Sequence, residues 1–152
     1  MRVDVGRLAA EGERLEGKVS AEALDLHEAD VAVLGPIACK MLAIRVFDDL
    51  LVDGSLTVRM RLRCSRCAEL FETDIEEPKF HFDCRIEKGS EFVDLTGEIR
   101  ESILLAFPVH PVCRSDCRGL CPQCGANRNR KPCRCKPSRD ARWSGLSGLA
   151  LP

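Results

Sequence analysis

Apolar and polar residues alternate over positions 56–63, with Leu56, Val58, Met60 and Leu62 on one side and Thr57, Arg59, Arg61 and Arg63 on the other. That period of two predicts a strand buried on one face. Before it, Met41 to Leu51 is an apolar run with Asp48-Asp49 inside, and Asp53-Gly54 is a turn dipeptide. Two antiparallel strands are therefore predicted around Asp53-Gly54. After Cys67, Leu70 to Ile75 predicts another strand that Pro78 breaks, and Phe80 and Phe82 flank His81 in a further short one. The middle of the chain thus predicts a β-meander. From Thr96 to Phe107 the period changes, because Ile99, Ile103, Leu104 and Phe107 fall at helical spacing, Glu98 and Glu101 lie near the start, and Pro108 ends the run. In the first 30 residues Leu15, Val19, Leu24 and Leu26 stand among many acids, which predicts a strand and a short helix.

Beyond Pro111 the apolar period is lost, and Cys, Arg, Gly, Asn and Pro take over. Such a segment has no conventional core, so something other than apolar burial must order it. Near the end, Trp143, Leu146 and Leu149 are spaced by three and predict a short amphipathic turn. The expected architecture is α+β: a small β-rich body, an antiparallel meander or barrel-like, with one main helix and a C-terminal zinc-knuckle module. Its parts are a body over 1–110 with a helix at about 96–107, a Cys-rich basic module over 111–137, and a tail over 138–152.

Composition narrows the class. The 152 residues are 45% hydrophobic and 31% charged, which suits one globular domain and excludes collagen-like and wholly disordered chains. No run of about 18 uncharged apolar residues exists, and Met1 to Glu13 mixes acids and bases, so neither a membrane span nor a secretory signal is expected. A cytoplasmic setting follows as the expectation, and there ten cysteines point to metal or redox chemistry more than to disulfides. Eight of them form four close pairs: Cys64/Cys67, Cys113/Cys117, Cys121/Cys124 and Cys133/Cys135. Cys39 and Cys84 stand alone and are expected to be small buried hydrophobes.

Structural zinc takes four thiolates, and two of them a few residues apart can reach one ion from a tight turn. Cys121-Pro-Gln-Cys124-Gly125 has that form, the glycine letting the backbone pass close to a sulfur. Cys133 and Cys135 supply a second half, so Cys121, Cys124, Cys133 and Cys135 are one candidate site. Cys64, Cys67, Cys113 and Cys117 are a second, which would close a loop of about 45 residues at a cost on the order of a few kcal/mol. Structural zinc contributes roughly 10 to 16 kcal/mol, so the separation in sequence is no obstacle. A competing partition joins Cys113, Cys117, Cys121 and Cys124, leaving Cys64/Cys67 and Cys133/Cys135 unused or joined to each other. The first partition uses every pair and is preferred, and one or two structural zinc ions are expected. A third reading keeps Cys64/Cys67 as a metal-free buried or redox dithiol.

Charge is as uneven as the cysteines. Residues 114–142 hold nine bases against Asp116 and Asp140, a balance of +7, so the remainder must be −8 within a formal total of −1. A basic patch for polyanions on an acidic body has this distribution, as does a solvated basic tail. Arg128, Arg130, Lys131, Arg134 and Lys136 are the expected phosphate contacts, extended by Arg59, Arg61 and Arg63 on the polar face of their strand. With no Tyr, one Trp and six Phe, stacking platforms are scarce, and shape and backbone recognition of RNA is expected over base reading. No catalytic residue is expected: His27, His81 and His110 lack HExxH-like spacing, and neither a G-x-S-x-G motif nor a Gly-rich phosphate loop is present.

The chain also resembles a known family. Leu62-Arg63-Cys64-Ser65-Arg66-Cys67, Val93-Asp94-Leu95-Thr96, Ile99 to Pro108, Cys113-Arg-Ser-Asp-Cys117-Arg-Gly-Leu-Cys121-Pro-Gln-Cys124-Gly-Ala-Asn127, Cys133-Arg-Cys135 and Asp140-Ala-Arg142-Trp143 stand in order over roughly residues 40–149. Together they look like the YceD family, the large ribosomal RNA subunit accumulation proteins of bacteria and plastids. Arg128 departs from the family pattern, which more often has an apolar residue there, and the first 35 residues match only loosely. The resemblance implies a non-enzymatic factor for large-subunit rRNA accumulation and ribosome assembly, binding that rRNA or a precursor particle. Neither a membrane nor a small-molecule substrate is implied. An adaptor on ribosomal proteins, with the basic segment facing solvent or an acidic partner, and a thiol oxidoreductase using Cys64 or Cys67 are the alternatives.

Overall fold

In the computed structural model, described over residues 1–9, 11–26, 28–135 and 142, seven strands and one α-helix follow one another along the chain. They are β1 (Arg2–Asp4), β2 (Glu13–Val19), β3 (Val31–Val33), β4 (Ile37–Val46), β5 (Asp49–Arg63), β6 (Leu70–Arg85), β7 (Phe92–Asp94) and α1 (Thr96–Leu105). A short 3-10 helix, Ala21–Leu24, follows β2, which agrees with the strand and short helix expected in the first 30 residues.

All pairings are antiparallel. The 15-residue β5 is the spine of the main sheet. One of its edges is shared end to end by β4 and β3, the other is taken by β6, and β2 lies outside β4. Consecutive β4, β5 and β6 form the expected meander. Alternation along β5 sends Leu50, Val52, Leu56, Val58, Met60 and Leu62 to the core, where Ile37, Cys39, Met41 and Ala43 of β4 join them. Helix α1 covers that face with Ile99 and Ile103, and Leu95 just before it is equally buried. Each such side chain contributes about 1.5–3 kcal/mol through burial, and Leu56→Ala, at the centre, would cost about 2–5 kcal/mol. Cys39 lies in this core and Cys84 packs against it.

Two sequence expectations are corrected. Asp53-Gly54 is not a turn: it lies inside β5, and the β4–β5 hairpin turns at Phe47-Asp48, where Val46 pairs with Asp49. Phe47 adopts φ 56° there and is exposed. Gly54 has a different reason to be glycine, because a Cβ would stand 2.3 Å from the Lys40 carbonyl and 2.7 Å from Met41 Cα. Pro78, in turn, does not break its strand. Gly54 pairs with Phe80 and Leu56 with Glu77, so Pro78-Lys79 is a bulge of one extra residue in a continuous edge strand, where proline is tolerated. The extra residue exchanges faces, with Ile75 buried before it and Phe80 buried after it. The C-terminal turn expected at Trp143, Leu146 and Leu149 lies outside the described residues.

Candidate metal centres

Strand β5 runs straight into Cys64, and β6 begins at Leu70, so the β5–β6 connection is Cys64-Ser-Arg-Cys67-Ala-Glu69. Within it the Cys64 N–H donates to the Glu69 carbonyl at 2.8 Å and the Ala68 N–H to the Cys64 carbonyl at 2.9 Å. Cys121-Pro-Gln-Cys124-Gly-Ala126 repeats this bond for bond: Cys121 N–H to the Ala126 carbonyl at 2.8 Å, and Gly125 N–H to the Cys121 carbonyl at 2.9 Å. The fifth residue of each turn has positive φ, 59° at Ala68 and 70° at Gly125. The chain thus makes the same knuckle twice. Sequence reading marked the second by its glycine, and Ala68 offered no such sign in the first.

The knuckles bring the eight paired cysteines into two groups of four. Cys64, Cys67, Cys113 and Cys117 form one tetrad and Cys121, Cys124, Cys133 and Cys135 the other, with the sulfurs of each group within 4.8 Å of one another. All ten cysteines are free thiols. Sulfurs about 2.3 Å from a tetrahedral ion stand about 3.8 Å apart. Cys64 and Cys117 are 3.9 Å apart and Cys67 and Cys113 3.8 Å, so two opposite edges of the first tetrad already have the length such a tetrahedron needs. The competing partition through Cys113, Cys117, Cys121 and Cys124 is not the arrangement found.

The thiols titrate as crowded groups must. Burial raises Cys64, but N–H groups of Cys113, Cys67 and Arg66 outweigh it and hold the thiol at about 6. Burial and the facing sulfurs of Cys117, Cys64 and Cys67 push Cys113 up to about 12. In the second tetrad, N–H groups of Cys124 and Gln123 hold Cys121 at about 6, while the Cys124 sulfur and then burial push Cys135 up to about 12. Each tetrad therefore holds a readily formed thiolate beside a thiol that keeps its proton, because negative sulfurs this close repel. A doubly charged cation at the centre would take the place of those protons, and four sulfur donors suit zinc or another thiophilic ion. The tetrads differ in exposure: Cys64, Cys67 and Cys117 are buried, whereas Cys124 and Cys135 face solvent.

Segment 111–120 clasps the first knuckle. Ser65 N–H donates to the Pro111 carbonyl at 2.8 Å, and Leu120 N–H to the Arg66 carbonyl at 2.9 Å. The Arg66 guanidinium reaches the carbonyls of Ser115 and Cys117 at 3.2 and 3.3 Å.

The expected phosphate contacts fall into two sets. Arg59 pairs with Asp74 at 3.2 Å and Glu72 at 3.7 Å, Arg61 with Glu72 at 3.1 Å, and Arg63 with Asp30 at 2.5 Å. These three arginines do lie on the polar face of β5, but their charge is balanced across the sheet and they do not extend a free basic patch. Arg130 is paired with Glu69 at 2.5 Å. Arg118, Arg128, Lys131 and Arg134 are exposed and have no ion pair among the described residues. Lys136 lies outside the described residues.

Fold and cysteine geometry together define the class: a small α+β protein, largely antiparallel sheet, with two cysteine tetrads able to hold metal ions, one joining the β5–β6 connection to the segment after the helix and one within the C-terminal segment. Residues 82–150 match the family model described as large ribosomal RNA subunit accumulation protein YceD. The match and the curated relatives support the YceD family. A protein of Arabidopsis thaliana named large ribosomal RNA subunit accumulation protein YCED homolog 1, chloroplastic, is 23% identical over 97% of this chain and 59% of its own length. Its namesake in Zea mays is 34% identical over 55% of this chain and 28% of its own length. An uncharacterized protein of Mycobacterium tuberculosis is 43% identical over 41% of this chain and 30% of its own length. The chain therefore spans less than two thirds of these relatives. No solved structure matches it.

Proposed function

We propose that this chain is a non-enzymatic factor for large-subunit rRNA accumulation and ribosome assembly, which binds rRNA or a precursor particle through a basic module ordered by two structural zinc ions. The module spans about residues 111–137, and the setting is the cytoplasm, where thiols stay reduced. The observation that carries the reading is the placement of Arg118, Arg128, Lys131 and Arg134. These bases, exposed and without an ion pair among the described residues, sit on a segment with no apolar core, between cysteines gathered into tetrads. Arg59, Arg61 and Arg63 of β5 are by contrast neutralised by acids. A polyanion thus meets a cluster of free positive charge on this segment, and the relatives named for rRNA accumulation supply the class of polyanion.

The test is rRNA binding by the zinc-loaded chain as a function of salt. Affinity should fall steeply as salt rises, and a variant with Arg128, Lys131 and Arg134 replaced by Ala should show a slope shallower by about 2–3. Unchanged affinity and slope in the variant would reject this surface. An adaptor on ribosomal proteins is the second reading, favoured by Leu105 at the end of the helix and Val109 just beyond it, 78% and 87% exposed. Under that reading, capture of pre-ribosomal proteins survives nuclease treatment.

A further inference from the structure

We infer that Asn129 couples the two cysteine tetrads, so that a metal ion in one raises the affinity of the other. The inference rests on reading both tetrads as metal sites. Asn129 belongs to the loop between Cys124 and Cys133, two members of the second tetrad, yet its side chain is spent on the first. Its Nδ2 donates to Cys117 Sγ at 3.3 Å. Its Oδ1 accepts from the Arg118 N–H at 2.8 Å and from the Arg114 guanidinium at 3.1 Å, on either side of Cys117. The loop is docked along the same segment, with Arg128 N–H donating to the Gly119 carbonyl at 2.9 Å and Leu120 bridging Asn127.

The physical consequence follows from what an ion does at each place. In the second tetrad it ties Cys124 to Cys133 and Cys135, fixing both ends of the loop that presents Asn129. In the first it makes Cys117 a thiolate, to which an N–H donor bonds more strongly than to a thiol. Donors to a metal-bound ligand typically change metal affinity by 10–100-fold. Each ion therefore favours the state in which the Asn129 to Cys117 bond is made, and the effect must be reciprocal.

The experiment is a double-mutant cycle on the full chain. Zinc affinity of the first tetrad is measured by competition with a chromophoric chelator, and amide NMR shifts of the two knuckles, Cys64–Glu69 and Cys121–Ala126, report which tetrad is filled. Cys133→Ser with Cys135→Ser removes the second site. With Asn129 present, this should weaken zinc at the first by about 10-fold. The Asn129→Asp variant keeps the oxygen that accepts from Arg118 and Arg114 but loses the donor to sulfur. In that background the same pair of replacements should change first-site affinity by less than about twofold. Equal losses in both backgrounds would show that coupling runs through the docked backbone and would overturn the role given to Asn129. No loss in the Asn129 background would overturn coupling altogether, without calling on the aspartate variant. A full-length chain that takes up no zinc would instead refute the metal reading, and this inference with it.

Discussion

At the scale of single residues, the twice-made knuckle sets up a direct comparison. Ala68 and Gly125 hold the same place in the same turn with φ near 60–70°, a region that costs a residue with a Cβ roughly 1–2 kcal/mol. Glycine recovers part of that at the expense of a more flexible unfolded chain. Ala68→Gly should therefore stabilise the zinc-loaded protein by up to about 1 kcal/mol, and Gly125→Ala, with nothing within 4 Å of the new Cβ, should cost about 1 kcal/mol. Gly119 is the harsher case. It has φ 69°, and a Cβ would stand 2.9 Å from the Arg66 carbonyl, so Gly119→Ala both strains the backbone and pushes the clasp off the first knuckle. Denaturant unfolding should rank Gly119→Ala below Gly125→Ala, and the reverse order would mean that the clasp is not tight.

At the scale of elements, helix α1 begins without a side-chain cap from Leu95, and Asp94 serves instead. Asp94 accepts from the Thr96 N–H at 3.0 Å and the Thr96 hydroxyl at 2.6 Å, and these bonds hold its carboxyl well below the usual carboxylate range. Asp94→Ala should cost about 0.5–2 kcal/mol, toward the lower end because the side chain is half exposed. A carboxyl depressed in the folded state adds stability above its unfolded value of about 3.9 and loses it as pH falls below that. The stability gap between wild type and Asp94→Ala should thus be constant from about pH 5 to 7, begin to narrow below about pH 4, and close only as pH falls through the depressed value of the folded state. A gap that has not narrowed by about pH 2 would mean that the charge of Asp94 is not what caps the helix.

Elements also show how far the sequence was legible. The period-two pattern of β5 and the helical spacing of Ile99 and Ile103 are local signals, set by which side chains must leave water, and both placed their elements well. Asp53-Gly54 and Pro78 misled because each carries a local preference that a tertiary contact overrode. Gly54 answers to the neighbouring strand, and Pro78 answers to a bulge on an edge. The cysteine pairs were legible because ligand spacing is itself local, and using every pair once favoured the grouping that the structure shows. Ion pairing was not legible. Whether Arg59 meets solvent or Asp74 depends on strand register, which one strand alone does not reveal.

At the scale of the whole molecule, the formal charge of −1 averages two unlike regions. Filling a tetrad replaces four thiol protons with one doubly charged ion, a change of −2 per site, which takes the chain from −1 to about −5. Under the proposed function, zinc would oppose polyanion binding through net charge and favour it through order, and the two effects can be weighed. A change of −2 spread over a tetrad acts at a distance through solvent and is screened beyond about 8 Å at physiological salt. Losing order would let Arg128, Lys131 and Arg134 scatter and forfeit the joint placement on phosphates that the proposed function requires, so order wins. The sheet has its own apolar core, in which no cysteine of either tetrad takes part. Graded chelation should accordingly strip the more exposed second tetrad first and cut rRNA affinity by about 10-fold or more as its ion leaves, while far-UV circular dichroism of the sheet stays unchanged. Lowering pH should do the same, because protons compete with zinc for sulfur. Native mass spectrometry counts the ions in the same samples. Affinity that holds steady while zinc falls from two to one would mean that the second tetrad does not order the phosphate-contacting surface.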